Sequence, residues 1–271
     1  MSGWLLLFGG FPLLLLLFTS FLKQHPVKFF ELSLSVESYA QLINPNYLLV
    51  FLRSTLLAGI TMIVCLIVGY PFAWLTCRMP SRYRLLILIM IMIPFWTNSL
   101  IRTYAVRIII GAKGIVNKLL LASGIIESPI RLMYTDTAVL LGLVYLMLPF
   151  MILPLYANIE KLDYRLVEAS RDLGAGPYST FRSVILPLTM PGIVAGCIMV
   201  FVPTMGLFYV ASLLGGAKKL LIGNLIQHQF LVSHNWPLGS AMSTTLIGIL
   251  VVMLLLYRVV LHRSDTAAGK L

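Results

Sequence analysis

The sequence predicts an all-α polytopic membrane protein, with six transmembrane helices in a single domain over residues 1–271. Two observations indicate this class. Of the 271 residues, 59% are hydrophobic and only 11% are charged, and the mean hydropathy of +0.96 is far above that of soluble domains. The apolar residues also form continuous runs instead of alternating, which favours helices over the strands of a barrel.

Six apolar blocks are long enough to cross a hydrocarbon core about 30 Å thick, which takes roughly 20 helical residues. They cover residues 3–22, 54–77, 85–104, 137–158, 188–213 and 240–262. The first block has no basic start and no small-residue cleavage site before Lys23, so we interpret it as an uncleaved span and not as a signal peptide.

Loop charges leave the orientation of these spans open. If the N-terminus is cytoplasmic, the loops near 78–84 and 159–187 and the tail from Arg258 onward are cytoplasmic too. These segments hold ten lysines and arginines, and the opposite side also holds ten. Because the two counts are equal, the positive-inside rule does not decide the orientation. Only the three arginines within 78–84 favour a cytoplasmic first loop.

Residue patterns disfavour several kinds of site. The net charge of +11 is spread over every loop, without the basic stripe and interleaved aromatics of a nucleic-acid interface. The four histidines have no metal-ligand spacing, and the three cysteines lie inside apolar spans, where packing is the ordinary role. The cysteines are Cys65, Cys77 and Cys197.

Residues 102–131 form a mixed segment between the third and fourth spans. Four basic residues make it too polar for a further span, so we expect a membrane-surface helix or a re-entrant hairpin. These residues are Arg102, Arg107, Lys113 and Lys118.

Prolines and glycines occur inside three spans. In lipid, each backbone hydrogen bond lost to proline must be replaced, so these residues indicate either interrupted helices along an internal pathway or kinks that serve packing. Gly192 and Gly196 lie four residues apart, a spacing that favours close helix approach. The interrupting residues are Pro94, Pro149, Pro154, Pro191, Pro203 and Gly206.

The segment EASRDLGAGPYSTFRSVILP, residues 168–187, is unusually polar for this chain. Asp163 is expected to cap a helix that Gly174 ends in the left-handed conformation. Gly176 and Pro177 are expected to start a second helix that stops near Pro187. A helix, a glycine corner and a second helix suit docking into another protein's groove, although a long loop can also contain a plain surface helix.

The same residues resemble the EAA signature of the membrane subunits of binding-protein-dependent ABC importers. Every spacing of that signature is kept, and Ser170 and Val184 are conservative departures from its alanine and isoleucine. The matching positions are Glu168, Ala169, Ser170, Gly174, Val184, Leu186 and Pro187. Over about residues 45–260 the chain also resembles spermidine/putrescine permeases of the B-subunit type, through four blocks. These are PFWTNSLIRTYA (94–105), GLVYLMLPFMILPLYANIEKLD (142–163), LPLTMPGIVAGC (186–197) and GLFYVASLLGGAKKLLIGNLI (206–226).

The resemblance implies the fold of type I ABC importer permeases, with a transmembrane core of about 50–260 and cytoplasmic coupling helices in a loop of about 159–187, which we term the EAA loop. It implies a multi-pass protein of the bacterial inner membrane, with both termini cytoplasmic, that forms half of a pathway for polyamine import. Residues implied in coupling to the ATPase are Glu168, Ala169, Ser170, Asp172, Gly174, Leu186 and Pro187.

The implied partners are a cytoplasmic ABC ATPase in two copies, an extracytoplasmic substrate-binding protein and a second permease subunit. The B-type resemblance favours a distinct C-type subunit over a second copy of this chain. The sequence has no Gly-x-x-x-x-Gly-Lys-Ser/Thr loop for nucleotide phosphates. We therefore expect no enzyme activity and no cofactor on this chain, with ATP and Mg²⁺ on the partner ATPase.

A path for a flexible polycation should offer aromatic faces and carboxylates. Aromatic residues equally suit packing or the lipid headgroup level. The candidates for the path are Phe95, Trp96, Asn98, Tyr104, Tyr145, Phe208 and Tyr209. Polyamine permeases often carry an acid near the stretch that corresponds to GLFYVASLLGG, and here Leu207 and Ser212 are among the positions that could have held it.

Two alternatives therefore stay open. One is a permease of the same family for another small solute. The other is an intramembrane lipid-modifying enzyme, which would need clustered acids, histidines or a nucleophile with its base, and the sequence offers no such cluster.

Overall fold

The structure, a computed structural model, describes residues 6–24, 31–216 and 221–268, so residues 3–5 of the first predicted span lie outside it. Helices dominate, because long runs of apolar residues satisfy their backbone hydrogen bonds internally only as helices in lipid. The α-helices are α1 (Phe11–Ser20), α2 (Glu37–Leu42), α3 (Pro45–Arg78), α4 (Ser81–Met92), α5 (Ser99–Ile110), α6 (Ile115–Ala122), α7 (Asp136–Ile159), α8 (Tyr164–Asp172), α9 (Pro177–Thr180), α10 (Leu186–Gly206), α11 (Phe208–Val210), α12 (Ile222–Leu231) and α13 (Trp236–Ala268).

Short elements of other types join these helices. Strands β1 (Leu22–Lys23) and β2 (Glu31–Leu34) pair antiparallel after α1. A 3-10 turn, Ile93–Trp96, ends α4. Single π-helical turns precede α1 and α10 and follow α11, and they are Leu6–Gly10, Phe181–Ile185 and Ala211–Gly215.

Every one of the six predicted apolar blocks contains an apolar helix. Among the described residues, four helical stretches are long and apolar enough to cross a membrane, and they are Pro45–Arg78, Asp136–Ile159, Pro177–Gly206 and Trp236–Leu255. The pair Ser81–Trp96 and Ser99–Ala122 also passes this test, with a bend of 97° between its halves, and Leu7–Ser20 is a shorter apolar helix.

The third span is interrupted where proline predicted it. Pro94 lies in the 3-10 turn, and Thr97 after it is extended, with φ −79° and ψ 150°. Asn98 then starts the next helix, since its Oδ1 accepts a hydrogen bond from the Leu100 backbone N at 2.8 Å. The segment 102–131 contributes most of α5 and all of α6, two helices too short to span on their own.

Of the two alternatives for the prolines of the fourth span, interruption is not observed, and the helix stop expected near Pro187 is wrong. Helix α7 is continuous although it contains Pro149 and Pro154, because lost backbone bonds in membrane helices are commonly replaced by neighbouring groups. The helix that begins at Pro177 does not stop near Pro187 but continues to Gly206. The π-helical turn directly before Leu186 widens the backbone there, and this relieves the clash of Pro187 with the carbonyl four residues earlier.

The fifth span is interrupted at its glycine and not at its prolines. Pro191 and Pro203 lie inside α10, which ends at Gly206. Leu207, with ψ 64°, then breaks the helical hydrogen-bond ladder before α11. The predicted span 188–213 is therefore two helical pieces.

The contacts divide the chain into two compact units. Unit A comprises Met1–Ala58, Arg107–Val139 and Met205–Val251, and unit B comprises Gly59–Val106, Leu140–Thr204 and Val252–Leu271. Fully buried side chains at the centre of unit A include Leu22, Leu214, Ile222, Leu238 and Met242, and those of unit B include Leu143, Leu146, Met151, Leu155 and Ile159. The single domain expected over residues 1–271 stays a prediction.

Contacts within unit B establish the directions of its helices. The Cys65 and Cys77 thiols of α3 each lie 3.8 Å from a carbonyl oxygen of α7, those of Val144 and Tyr156, and both pairs are 79 residues apart in sequence. A constant offset means that α3 and α7 run in the same direction. The chain between them must therefore cross the membrane an odd number of times, which one bent span satisfies.

Helix α10 packs against α7 through the two glycines that the sequence singles out. A Cβ atom on Gly192 would lie 2.6 Å from Asn158 Cβ, and one on Gly196 would lie 2.7 Å from Met151 Sδ. The contacts move down α7 as they move up α10, so these helices are antiparallel. The close packing predicted from the four-residue spacing is confirmed.

Candidate functional site

The EAA loop begins with a capped helix. Asp163 precedes α8, and its Oδ1 accepts a hydrogen bond from the Arg165 backbone N at 3.0 Å, as the sequence predicts. Val167 is the buried anchor of this helix. Glu168, Ala169 and Asp172 are exposed, so the polar side of α8 is free for contact with another molecule.

The corner after α8 depends on a left-handed glycine. Gly174 has φ +81°, and its backbone N donates to the Arg171 carbonyl oxygen at 2.8 Å, while Ala175 N donates to the Ser170 carbonyl at 3.1 Å. These two bonds form a Schellman motif. A Cβ at Gly174 would meet nothing within 4 Å, so it is the backbone conformation, and not space, that favours glycine.

A hydrogen bond between side chains closes the corner. Pro177 starts α9 within its first turn, as predicted. The hydroxyl groups of Ser170 and Thr180 lie 3.2 Å apart and share a hydrogen bond, and Thr180 is buried. Ser170, which departs from the alanine of the signature, thus links α8 to the helix that follows it.

The EAA loop exposes large apolar side chains. Leu173 is 89% exposed and Tyr178 is 73% exposed, and Tyr164, Leu166 and Phe181 are also exposed. Apolar groups grouped in this way on a polar segment are typical of a surface that another protein covers.

Aromatic contacts hold the EAA loop to the end of α3. The rings of Tyr70 and Phe181 meet edge to face at 5.9 Å, and those of Trp74 and Tyr164 lie 6.3 Å apart. The Tyr70 hydroxyl also shares a hydrogen bond of 3.0 Å with the Thr189 hydroxyl. Such pairs contribute beyond simple burial of area, so the loop is positioned by rigid elements.

An ion pair beside the loop joins three helix ends. Arg84 Nη1 donates to Glu160 Oε1 at 2.9 Å, and the Tyr156 hydroxyl donates to the same oxygen at 2.7 Å. Arg84 Nη2 donates to the Cys77 carbonyl oxygen at 2.7 Å, near the end of α3. The hydrogen bonds from Tyr156 and Arg84 lower the pKa of Glu160. Sequence reasoning missed this cluster, because its ion pair joins residues 76 apart.

The structure separates the residues implied in coupling into two places. Glu168, Ala169, Ser170 and Asp172 lie on α8, and Gly174 forms its corner. Leu186 and Pro187 instead begin α10, where Leu186 is half-buried and Pro187 is exposed.

The aromatic candidates for a substrate path lie in both units. In unit B, the ring of Phe95 meets Phe150 edge to face at 4.9 Å, Trp96 is 82% exposed, and Tyr104 and Tyr145 are exposed. In unit A, the rings of Phe208 and Tyr209 lie 5.8 Å apart and are half-buried. Asn98 is exposed and caps α5.

A buried amide stabilises the break of the fifth span. Asn224 is 8% exposed. Its Nδ2 donates to the Phe208 carbonyl oxygen at 3.0 Å and to Ser212 Oγ at 2.7 Å, and its Oδ1 accepts from Leu221 N at 3.0 Å. We term these four residues the Asn224 clasp. A Cβ on the neighbouring Gly223 would lie 2.6 Å from the Gly206 carbonyl oxygen, so two backbones meet closely here.

The clasp occupies polar groups in the stretch where an acid was expected. The Ser212 hydroxyl also donates to the Phe208 carbonyl at 3.1 Å. Sequence reasoning noted Ser212 but missed Asn224, which lies twelve residues later. Within the described part of the chain, no group of three or more His, Cys, Asp or Glu side chains could hold a metal ion.

The chain is similar to proteins of known type. Residues 66–265 match the family model described as a binding-protein-dependent transport system inner membrane component. A spermidine/putrescine transport system permease protein, PotB, of Haemophilus influenzae is 53% identical, over 94% of this chain and 88% of the relative. Its counterpart in Escherichia coli K12 is 50% identical, over 94% of this chain and 93% of the relative.

A solved structure has the same fold. It is a bacterial alginate ABC transporter in complex with an alginate pentasaccharide-bound periplasmic protein, and it aligns with a TM-score of 0.72 at 15% identity. The alignment covers 94% of this chain and 88% of the other. At this identity the likeness concerns the fold alone.

Proposed function

The chain belongs to the family of binding-protein-dependent transport system inner membrane components, and we propose that it is the permease subunit of an ATP-driven importer for spermidine and putrescine. It is a multi-pass inner-membrane protein. The observation that carries the coupling role is the EAA loop, where a capped helix and a Schellman corner present Leu173 and Tyr178 to the outside.

The cargo is proposed from the relatives. Two permeases named for spermidine and putrescine transport are about half identical to this chain over nearly its whole length. A polyammonium chain can interact with aromatic faces at about 0.5–2 kcal/mol per contact, and Phe95, Trp96 and Tyr104 are candidates for such faces on either side of the bend in the third span. Asn98, Tyr145, Phe208 and Tyr209 complete the proposed path.

The coupling residues are proposed to dock on a cytoplasmic ABC ATPase, present in two copies. Glu168 can pair with a basic group of the ATPase, while Ala169 and Gly174 leave room for close approach. Ser170 holds α8 to α9 through Thr180. Asp172 adds an exposed charge, and Leu186 and Pro187 join the docking helices to the membrane-spanning part of α10. ATP and Mg²⁺ would bind to the ATPase and not to this chain, which is accordingly no enzyme itself.

Further partners complete the proposed importer. An extracytoplasmic binding protein would select the cargo and deliver it, and a second permease subunit, of C type, would form the other half of the path. If the EAA loop faces the ATPase, both termini of the chain are cytoplasmic, which also decides the orientation that the loop charges leave open.

One observation favours a second candidate cargo, a small solute other than a polyamine. No aspartate or glutamate lies in the stretch 206–216, where an acid would suit a polycation, and the Asn224 clasp occupies the polar groups of Ser212. A permease for another small solute has the same architecture and coupling surface.

Uptake competition tests the cargo. Cells that carry the whole operon should take up labelled spermidine, and unlabelled spermidine and putrescine should compete, whereas cells that lack only this chain should show no uptake. If another solute competes better than either polyamine, the polyamine assignment is wrong while the permease role stands. Uptake that persists without the chain would contradict both.

A further inference from the structure

Tyr134, just before α7, has a backbone conformation that tyrosine rarely adopts. Its φ angle is +64°, in the left-handed region, where the Cβ of an L-residue crowds the following carbonyl oxygen. Among the described residues other than glycine, His234 alone shares a positive φ, of +50°, and histidine enters this region far more readily than a bulky residue does. Strain of this kind persists where it serves a function or where the surrounding fold imposes it.

The turn into α7 does not itself require tyrosine. Thr135 shapes this turn, because its Oγ1 donates to the Leu132 carbonyl oxygen at 2.7 Å and accepts from the Ala138 backbone N at 3.1 Å. Glycine or asparagine at position 134 would adopt the same left-handed conformation at little cost. The side chain of Tyr134, and not the turn, must therefore account for the tyrosine.

The Tyr134 side chain contributes little to the core. It is 57% exposed. Its covered part lies against Gly216, where φ is +70° and where an added Cβ would lie 2.9 Å from Tyr134 Cδ1. This contact fixes the direction of the ring, but more than half of the side chain remains open to another molecule. The strain thus places an aromatic ring where the chain itself does not cover it.

A backbone hydrogen bond joins Tyr134 to the broken fifth span. Its backbone N donates to the Leu214 carbonyl oxygen at 2.8 Å, and Leu214 lies in the π-helical turn Ala211–Gly215. This turn directly follows α11, which carries Phe208 and Tyr209, two residues of the proposed path. All of these residues belong to unit A. Tyr134 is therefore a third aromatic residue attached to this part of the path.

The position of Tyr134 along the chain also indicates its side of the membrane. Helix α7 is long and apolar enough to cross the membrane, begins two residues after Tyr134 and ends at Ile159, shortly before the cap at Asp163. If the EAA loop is cytoplasmic, Tyr134 lies at the extracytoplasmic end of this crossing, where imported cargo enters. An exposed aromatic ring there can attract an ammonium group through its electron-rich face.

We propose that Tyr134 contacts the cargo at the extracytoplasmic entrance of the path, where its ring receives an ammonium group of the polyamine in a cation–π contact. This inference rests on the proposed function, because it requires a cationic cargo. The backbone strain is retained because it presents the ring, and Gly216 is the surface that holds the ring in place.

Stepwise fluorination of the ring tests this contact. Phenylalanine and then mono-, di- and trifluorophenylalanine at position 134 withdraw electrons from the ring face with little change in shape. We measure spermidine uptake below saturation in cells that carry the whole importer, normalised to the amount of chain in the membrane. Tyr134→Phe should stay within about twofold of wild type, and the fluorinated series should fall progressively, by about threefold to tenfold in total.

The same series at Tyr83, 60% exposed near the start of α4, is the control and should leave uptake unchanged. A ring that only packs on Gly216 or anchors the chain at the lipid headgroups has no such dependence on fluorine. A flat series at position 134, or an equal decline at position 83, would therefore overturn the proposal.

A matched pair of natural variants separates the contact from folding. Tyr134→Leu and Tyr134→Phe both lack the hydroxyl, keep an apolar contact with Gly216 and carry the same backbone strain. Their unfolding temperatures in detergent should agree, but Tyr134→Leu should take up spermidine about threefold more slowly or worse than Tyr134→Phe. Equal uptake by the two variants would overturn the contact. If wild type itself takes up no spermidine, the proposed function fails; if it does and both series are flat, only this inference fails.

Discussion

The EAA loop and the Asn224 clasp are two polar interruptions of apolar helices, and they use their polar groups in opposite ways. In the EAA loop, Glu168 and Asp172 are exposed beside Leu173, and the hydrogen bonds of the corner lie within the loop, between backbone groups and between the hydroxyls of Ser170 and Thr180. In the clasp, Asn224 is buried and its side chain donates two hydrogen bonds and accepts one.

The difference distinguishes a surface made for a partner from one that serves the chain itself. Exposed apolar and charged groups that lie side by side remain available to bind another molecule. A buried amide whose hydrogen bonds are all made within the chain is not available, and it instead replaces backbone hydrogen bonds lost where the fifth span breaks. The comparison therefore supports the proposed coupling role of the EAA loop and indicates a structural role for the clasp.

We expect the largest effect from a substitution at the corner of the EAA loop, for which a second left-handed glycine provides a matched control. Gly174→Glu should lower spermidine uptake by about 30-fold or more, because disruption of a central docking residue costs roughly 2 kcal/mol or more of binding. Gly124 also has a left-handed backbone, with φ +70°, and open space around it. Gly124→Glu carries the same backbone strain of about 1–2 kcal/mol outside the loop.

The measurement is uptake normalised to the amount of chain in the membrane. Gly124→Glu should retain most of it. Equal losses from the two variants would show that strain, and not docking, explains the effect at Gly174.

The next effect should fall on stability and would confirm the role of the clasp. Asn224→Leu removes the partner of the Leu221 backbone N and one hydrogen bond each from the Phe208 carbonyl and the Ser212 hydroxyl, and we expect it to destabilise the protein by about 2–4 kcal/mol. Asn98→Leu removes one exposed helix cap and should cost about 1 kcal/mol. Thermal unfolding in detergent compares the two variants, and a smaller shift for Asn224→Leu than for Asn98→Leu would contradict a structural clasp.

A smaller effect should separate binding from stability in the loop. Leu173→Ala removes an exposed side chain, so stability should change by no more than about 0.5 kcal/mol. Binding of the ATPase should weaken by about tenfold, or roughly 1.4 kcal/mol. Ile125→Ala changes another exposed apolar side chain, in unit A, and should alter neither quantity. If Leu173→Ala lowered stability without weakening ATPase binding, Leu173 would have a structural role and the proposed binding role would be contradicted.

The smallest expected effect is on the stability of the protein at acidic pH. The pKa of Glu160 is lowered in the folded protein from an ordinary value of 4.5. Its stabilisation is therefore complete above pH 4.5 and is lost as the pH falls through the lowered pKa. Glu160→Gln should flatten this part of the stability profile below pH 4.5, and an unchanged profile would mean that other carboxylates dominate it.

The sequence predicts features that depend on neighbouring residues. Apolar blocks give the helices, because composition alone decides what can cross lipid. The cap at Asp163 and the corner at Gly174 are equally local, since a side chain or a φ angle acts within four residues.

Features that depend on distant residues could not be predicted. The prolines of α7 and Pro187 in α10 do not end their helices, because neighbouring groups in a membrane protein can replace the backbone hydrogen bond that proline removes. Asn224 and the Arg84–Glu160 pair join residues that only the fold brings together. For Arg102 the sequence shows a charge near a span, and only the structure shows that its side chain is buried over the Phe95 ring.

Photo-crosslinking tests the docking of the EAA loop most directly. A photo-reactive residue is placed at Leu173 or, as the control, at Ile125, in membranes that contain the whole importer. The coupling role predicts a crosslink from position 173 to the ATPase and none from position 125. A crosslink to the ATPase from position 125, or none from position 173 while uptake is intact, would contradict it.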